Sequence, residues 1–434
     1  MKDRASAPHI VILAAGADGT SEPRPLDALT TIFYRPMIRY VLDAAMAVPH
    51  RSIRVIAGAD AGKMREECRE YPELRYDVQE SPLGTMDAFR AIAAALNGEE
   101  GDVLILCADR VLLNPAGLNG MLAAHASSGA GFTLASGSGG AYCFRLAELS
   151  DALVRLAGGT SQETLPVEHA APRLAAAGGK AAEYAFADPL EGQGIADLYQ
   201  LWRVETILRD RHHRALMLRG VALRDPASTA LDPRCRIGRD VVIEGGATVF
   251  NSALEDGVYL ESGCRVVDSA VAAGSRLKQG TRVEKSRIGR GCVVGPYAHL
   301  RPGTQIDDDV RIGNFVELKN ASIGTGTKVS HLSYIGDAAV GRNVNVGCGF
   351  ITCNYDGGPV KQRTIIEDGV FIGSDSQAVA PVTLGAGSFV ATGTSVTEDV
   401  PPDSFVISRG RQVTKPGYAK KYGRGKTAPA RSVA

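Results

Sequence analysis

The chain of 434 residues is poor in aromatic side chains. Phe, Trp and Tyr make up 6% of it, with a single Trp. That scarcity fits thin coils that stack aliphatic layers. The chain also lacks an excess of either charge. Lys+Arg and Asp+Glu both number 48, so nothing in the whole-molecule balance points to nucleic acid or to a membrane surface. No apolar run reaches eighteen residues, and the polar segment Met1 to Pro8 leads straight into a strand-like run without a signal peptide. A soluble, cytoplasmic protein is expected. The eight cysteines, Cys68, Cys107, Cys143, Cys235, Cys264, Cys292, Cys348 and Cys353, form no CxxC pair and no zinc-finger spacing with histidine. Reduced, buried thiols are the expectation. Histidines are few, and the region after residue 222 has only His299 and His331, too few for a three-histidine metal site.

Glycine, by contrast, is abundant at 50 residues, and it follows a beat. Ile288, Val294, Leu300, Ile306, Ile312 and Leu318 recur every six residues. The pulse returns at Ile323, Val329 and Ile335, at Val340 and Val346, and at Ile372, Ala378, Leu384, Val390 and Val396. Weaker stretches precede it, Ile237 to Val249 and Leu254 to Val266. A hexapeptide period means one short strand and one turn per repeat, and three repeats close one triangular coil with the aliphatic residue pointing inward. Gly, Asn and Asp suit the corners, where φ is positive. A left-handed parallel β-helix follows, with residues one coil apart expected about eighteen apart.

The preceding 200 residues read differently. Strands at His9 to Ala15, Ile53 to Ala57 and Val103 to Cys107 alternate with helices at Met37 to Val48, Lys63 to Glu70 and Met86 to Leu96. That order predicts a parallel α/β sheet of Rossmann-like type. The chain thus divides into a nucleotidyltransferase-like α/β domain (1–195), a linker helix (196–221), the β-helix (222–408) and a tail (409–434) with eight Lys/Arg and no acid.

The repeats are interrupted at residues 313–319, 330–337 and 347–364, the last a loop expelled from the coils. Polar residues gather there. Arg301 and Lys319 are eighteen apart, so two cations should stack on one face, an arrangement suited to an anion such as a phosphate. On pattern alone, His331 reads equally as a base or as a hydrogen-bonded surface residue. Asn345 reads equally as a ligand or as a corner residue.

The segments RPG (301–303), GNFVELK (313–319), SHLSYIGD (330–337), GCGFITCNYDG (347–357), FIGSDSQAVAPVTLG (371–385) and ISR (407–409) resemble the acetyltransferase domain of the bacterial bifunctional family that makes UDP-N-acetylglucosamine. The resemblance covers roughly 220 to 415. It implies that His331 is the general base for acetyl transfer from acetyl-CoA to glucosamine-1-phosphate. It implies that Arg301, Lys319, Tyr334, Asn345 and Lys361 hold the sugar phosphate. Cys348, Asn354, Tyr355, Ser374, Thr392 and Arg409 would contact acetyl-CoA, Cys348 through its backbone amide. A homotrimer with sites shared between neighbouring chains is also implied.

Ile12 to Thr20 resembles the nucleotide loop of the same family's uridyltransferase domain, followed by matches at Pro36-Met37, Leu83 to Thr85 and Asp109. The resemblance implies that Leu13, Ala14, Ala15, Gly16, Gln79, Gly84 and Thr85 bind a uridine nucleotide and that Asp109 binds Mg²⁺. Four departures oppose this. The loop is one residue longer, with Ser21 at the family's Arg position and Asp27 at its Lys position. The sugar-binding hairpin is missing. Ala196 stands at the second metal ligand, with Asp197 beside it as a substitute. Arg24 or Arg35 could compensate for the lost cations. The expectation is therefore an acetyltransferase whose uridyltransferase activity is weak or lost. The alternatives are a fully bifunctional enzyme that also uses UTP and Mg²⁺, and a non-catalytic nucleotide-sugar-binding regulator.

Overall fold

The computed structural model describes residues 7–15, 26–58, 60–79, 85–136, 140–157, 172–173, 175–177, 180–408 and 410–419. The chain separates into two compact units, Met1–His212 and His213–Ala434.

The first unit is built on a seven-stranded sheet. Its order is Arg75–Val78, Ser52–Ala57, His9–Ala14, Asp102–Cys107, Ala141–Arg145, Phe132–Ala135 and Ala181–Tyr184. The first four strands are parallel, as their alternation with helices requires. Ala141–Arg145 runs antiparallel to both its neighbours, so the sheet is mixed rather than wholly parallel. The short span from Phe132 to Arg145 holds two strands and no crossover helix, and only an antiparallel pair can be joined that way. The strand His9–Ala14 shows burial on both faces. Ile10 and Ile12 pack toward helices Met37–Met46 and Pro115–Ser128, and Val11 toward Thr85–Ala95 and Leu146–Ala157. Helix Leu198–Leu218 begins at a reciprocal cap. The Gln200 amide N–H donates to Asp197 Oδ1 (2.7 Å), and the Ala196 N–H donates to Gln200 Oε1 (2.7 Å).

The second unit is the left-handed parallel β-helix that the hexapeptide beat predicts. Its strands, mostly two or three residues long, form sheets of eleven and seventeen. The aliphatic pulse lines one continuous core, with Val294, Leu300, Ile312, Leu318, Val329 and Ile335 fully buried. The coil length differs from a uniform eighteen. Val266 aligns with Val283 and Leu318 with Ile335, seventeen apart, whereas Leu300 aligns with Leu318, eighteen apart. The shorter coils turn one corner through a single left-handed residue, as at Asp268 (φ 49°) and Asn320 (φ 46°). Asn and Asp tolerate that conformation. After Leu300 the corner is Arg301-Pro302-Gly303 (φ 83°), one residue longer. The expelled loop appears as a break in register. Val340 pairs with Ile366, and Thr352 with Ala378. All eight cysteines are unbridged, six of them buried.

Candidate functional site

In the second unit, His331 ends the strand Lys328–His331, just before a corner at Leu332 (φ 45°). Its register partner one coil below is Asn314. Nδ1 of His331 lies 2.8 Å from Asn314 Oδ1. An amide oxygen only accepts, so Nδ1 carries the proton and Nε2 keeps its lone pair. The exposed imidazole is thereby set in the tautomer a proton acceptor needs. Tyr297 and Phe315 stack beside this corner (5.6 Å between ring centres), and both hold positive φ.

A group of charged side chains lies past the corner, on the neighbouring face. Arg301 and Lys319 directly follow the aligned pair Leu300 and Leu318, and the Arg301 guanidinium donates to Glu317 Oε1 at 2.7 Å. Arg301 holds its proton more firmly than usual, first because of that bond. Lys319 holds its proton less firmly, chiefly because the Lys361 ammonium from the expelled loop lies against it, with Arg301 adding to the effect and Asp337 opposing it. Two neighbouring ammonium groups suit an anion between them. The buried Asn354 donates from Nδ2 to Asp337 Oδ2 (2.5 Å) and lies 3.5 Å from the Tyr334 hydroxyl. Arg301, Lys319, Lys361, Tyr334 and Asn354 thus fall in one neighbourhood. Asn345 does not join it, because it lies on the eleven-stranded sheet in register with Lys328 and Phe371. Ser374, Thr392 and Tyr355 are exposed, and Cys348 is half-buried. Arg409 lies outside the described residues.

Sequence reasoning passes over Asn314, Glu317 and Asp337. A coil count of seventeen would have aligned Asn314 with His331.

In the first unit, the sheet's central strand ends where an open α/β sheet places ligands. The Ala108 N–H donates to Leu13 O (3.0 Å), so Leu13, Ala14 and Ala15 lie beside the end of Asp102–Cys107. Gln79 is anchored by its N–H to Ala57 O (2.8 Å), while its buried Nε2 has no hydrogen-bond partner among the described residues. Such a donor suits a base or ribose oxygen. Thr85 opens helix Thr85–Ala95. Gly16, Ser21, Arg24 and Gly84 lie outside the described residues.

Several expected charges are engaged locally. The Asp27 carboxylate accepts from the Leu29 N–H (2.9 Å) and the Thr30 hydroxyl (3.2 Å), a turn motif. Arg35 forms an ion pair with Asp43 (2.6 Å) and donates to the Tyr71 hydroxyl (3.1 Å), so it is tied to the helix Met37–Met46. Asp197 caps the linker helix, as above. Asp109 Oδ2 accepts from Arg110 Nη1 (2.8 Å) and from the Ile195 N–H (3.2 Å). Mg²⁺ demands an octahedron of oxygens, commonly with one or two carboxylates. With a guanidinium on Asp109 and no donor side chain at Ala196, these groups do not fit that ion.

The MobA-like NTP transferase domain matches residues 10–182. The bacterial transferase hexapeptide (six repeats) matches 285–320, and the hexapeptide repeat of succinyl-transferase matches 363–398. The bifunctional protein GlmU of Geobacter metallireducens is 40% identical over 467 residues, covering 95% of this chain and 98% of its own. Those of Trichlorobacter lovleyi and Brevibacillus brevis are 36% and 34% identical, each over 95% of this chain. The chain belongs to the bifunctional GlmU family. It is thus a transferase of UDP-N-acetylglucosamine synthesis with a nucleotidyltransferase unit and hexapeptide repeats. GlmU relatives match it through both units, which favours two activities over the expectation that the N-terminal one is weak or lost. No described helix is long and apolar enough to cross a membrane.

Proposed function

We propose that the C-terminal unit transfers acetyl from acetyl-CoA to the amine of glucosamine-1-phosphate, and that the N-terminal unit transfers uridylyl from UTP to the resulting N-acetylglucosamine-1-phosphate. The observation that carries the first step is the His331–Asn314 pair at 2.8 Å, next to a cation cluster that an anion would relieve. Arg301, Lys319 and Lys361 hold the sugar phosphate, with Tyr334 and Asn354 bonding nearby. Nε2 of His331 takes a proton as the amine attacks the thioester carbonyl. The oxyanion of the tetrahedral intermediate is met by a backbone amide at Cys348. Collapse of the intermediate expels the coenzyme A thiol. Ser374, Thr392, Tyr355 and Arg409 bind the coenzyme. In a homotrimer with sites shared between neighbouring chains, the exposed Asn345 reaches the sugar phosphate held by a neighbouring chain. Full-length similarity to proteins described as bifunctional supports the second activity, and the Gln79 side-chain Nε2, without a hydrogen-bond partner among the described residues, supports a nucleotide ligand there.

Paired assays test this reading. One measures thiol release from acetyl-CoA with glucosamine-1-phosphate. The other measures pyrophosphate release from UTP with N-acetylglucosamine-1-phosphate and Mg²⁺. Both products are expected. Absence of thiol release would overturn the acetyltransferase assignment, and absence of pyrophosphate would return the N-terminal unit to a silent role.

A further inference from the structure

The side chain of Arg110 follows Asp109 directly, yet it folds back into the protein rather than into solvent. It is 6% exposed, against 32% for the Asp109 carboxylate it contacts. Two glycines make the space. A Cβ on Gly140 would lie 2.0 Å from Arg110 Nε, and one on Gly194 would lie 1.1 Å from Arg110 Nη1 and 2.8 Å from Asp109 Oδ2. Backbone bonds hold this cradle shut. The Cys107 N–H donates to Gly140 O (3.0 Å), and the Ile195 N–H donates to Asp109 itself (3.2 Å). The guanidinium is therefore fixed between three chain segments, and its charge rests on the carboxylate oxygen that would otherwise take a divalent ion.

We infer that Arg110 is a built-in cation that replaces the divalent metal at Asp109, so that the N-terminal unit binds a uridine nucleotide without a metal ion on that carboxylate. The inference rests on the reading of this unit as a uridine-nucleotide site and specifies how the site is neutralised. A metal at Asp109 would face a like charge at hydrogen-bond distance. The second metal position is Ala196, which has no donor side chain. Arginine keeps its charge at any working pH, so it neutralises Asp109 from beneath without occupying the space a nucleotide phosphate would take.

The test uses the full-length chain. Binding of UDP-N-acetylglucosamine is measured by calorimetry in EDTA and in Mg²⁺, and binding of Mn²⁺ alone by electron paramagnetic resonance. Wild type should show affinities within about twofold in the two buffers and no tight Mn²⁺ site. Arg110→Val, which leaves the Asp109 carboxylate unneutralised beside the nucleotide phosphates, should bind the nucleotide sugar at least roughly tenfold more weakly in EDTA. The double variant Arg110→Val, Ala196→Asn should gain about one Mn²⁺ per chain. Arg110→Lys, which keeps the charge, should bind as EDTA-insensitively as wild type and guards against misfolding of the valine variant. About one tight Mn²⁺ per wild-type chain, lost in Asp109→Asn, would overturn the inference while leaving the nucleotide reading intact. No binding of the nucleotide sugar by wild type in either buffer would instead sink the nucleotide reading, and the inference with it.

Discussion

Asn314→Ala is the sharpest perturbation of the acetyl-transfer site. It removes the acceptor 2.8 Å from His331 Nδ1 and touches none of the cations. Without that oxygen the imidazole is no longer held in the tautomer with Nε2 free. A hydrogen bond of this kind contributes about 0.5–1.5 kcal/mol. Expressed wholly in the transition state, that is roughly a two- to thirteenfold fall in kcat. His331 is exposed, so water partly replaces the lost partner, and the lower half of that range is expected. The assay is thiol release from acetyl-CoA with varied glucosamine-1-phosphate. KM for the sugar should stay within about twofold, because Arg301, Lys319 and Lys361 are untouched. His331→Ala, which deletes the base, should cost about 10²–10⁴ in kcat. An Asn314→Ala enzyme with wild-type kcat would refute the tautomer argument. One as damaged as His331→Ala, with an altered melting curve, would show a merely structural role.

The remaining expectations concern charge and packing. Arg301→Ala should raise KM for glucosamine-1-phosphate well above its effect on kcat, and an unmoved KM would remove Arg301 from the phosphate site. Since Lys361 lowers the proton affinity of Lys319, Lys319 starts to lose its charge at a lower pH than an ordinary lysine, and affinity for N-acetylglucosamine-1-phosphate should begin to fall, as pH rises, before ordinary lysines lose their charge. Lys361→Gln should weaken binding near neutrality yet move that fall to higher pH, and calorimetry across pH would contradict the pairing if the fall stayed in place. Leu300→Ala, at a fully buried position stacked between Val283 and Leu318, should cost about 2–5 kcal/mol in denaturant unfolding of the β-helix, and a loss below about 1 kcal/mol would mean that the coil collapses onto the void.

The β-helix was legible because its determinant is local. Each aliphatic residue packs on its equivalents one coil above and below, so a one-dimensional repeat in sequence becomes a one-dimensional stack in space. The expelled loop was legible for the same reason, as a missed beat between Val346 and Ile372. The alternation of strands and helices in the first unit announced an α/β sheet, but not the antiparallel strand Ala141–Arg145. His331, Arg301 and Lys319 stood out by residue type and by resemblance, whereas Asn314 was hidden by a coil counted as eighteen instead of seventeen.

By itself, then, the sequence determined the periodic architecture and which residue types bear the chemistry, because periodicity and composition are properties of neighbours along the chain. Only the tertiary structure decided which charges meet. It set Asn314 under His331, brought Lys361 from the loop against Lys319, turned Asp27, Arg35 and Asp197 to local partners, and seated Arg110 on Asp109 between Gly140 and Gly194. The physical reason is that a polar or charged side chain takes whichever partner the packed backbone leaves within about 3 Å, a neighbour in a turn or cap for Asp27 and Asp197 and a segment distant in sequence for Asn314 and Lys361.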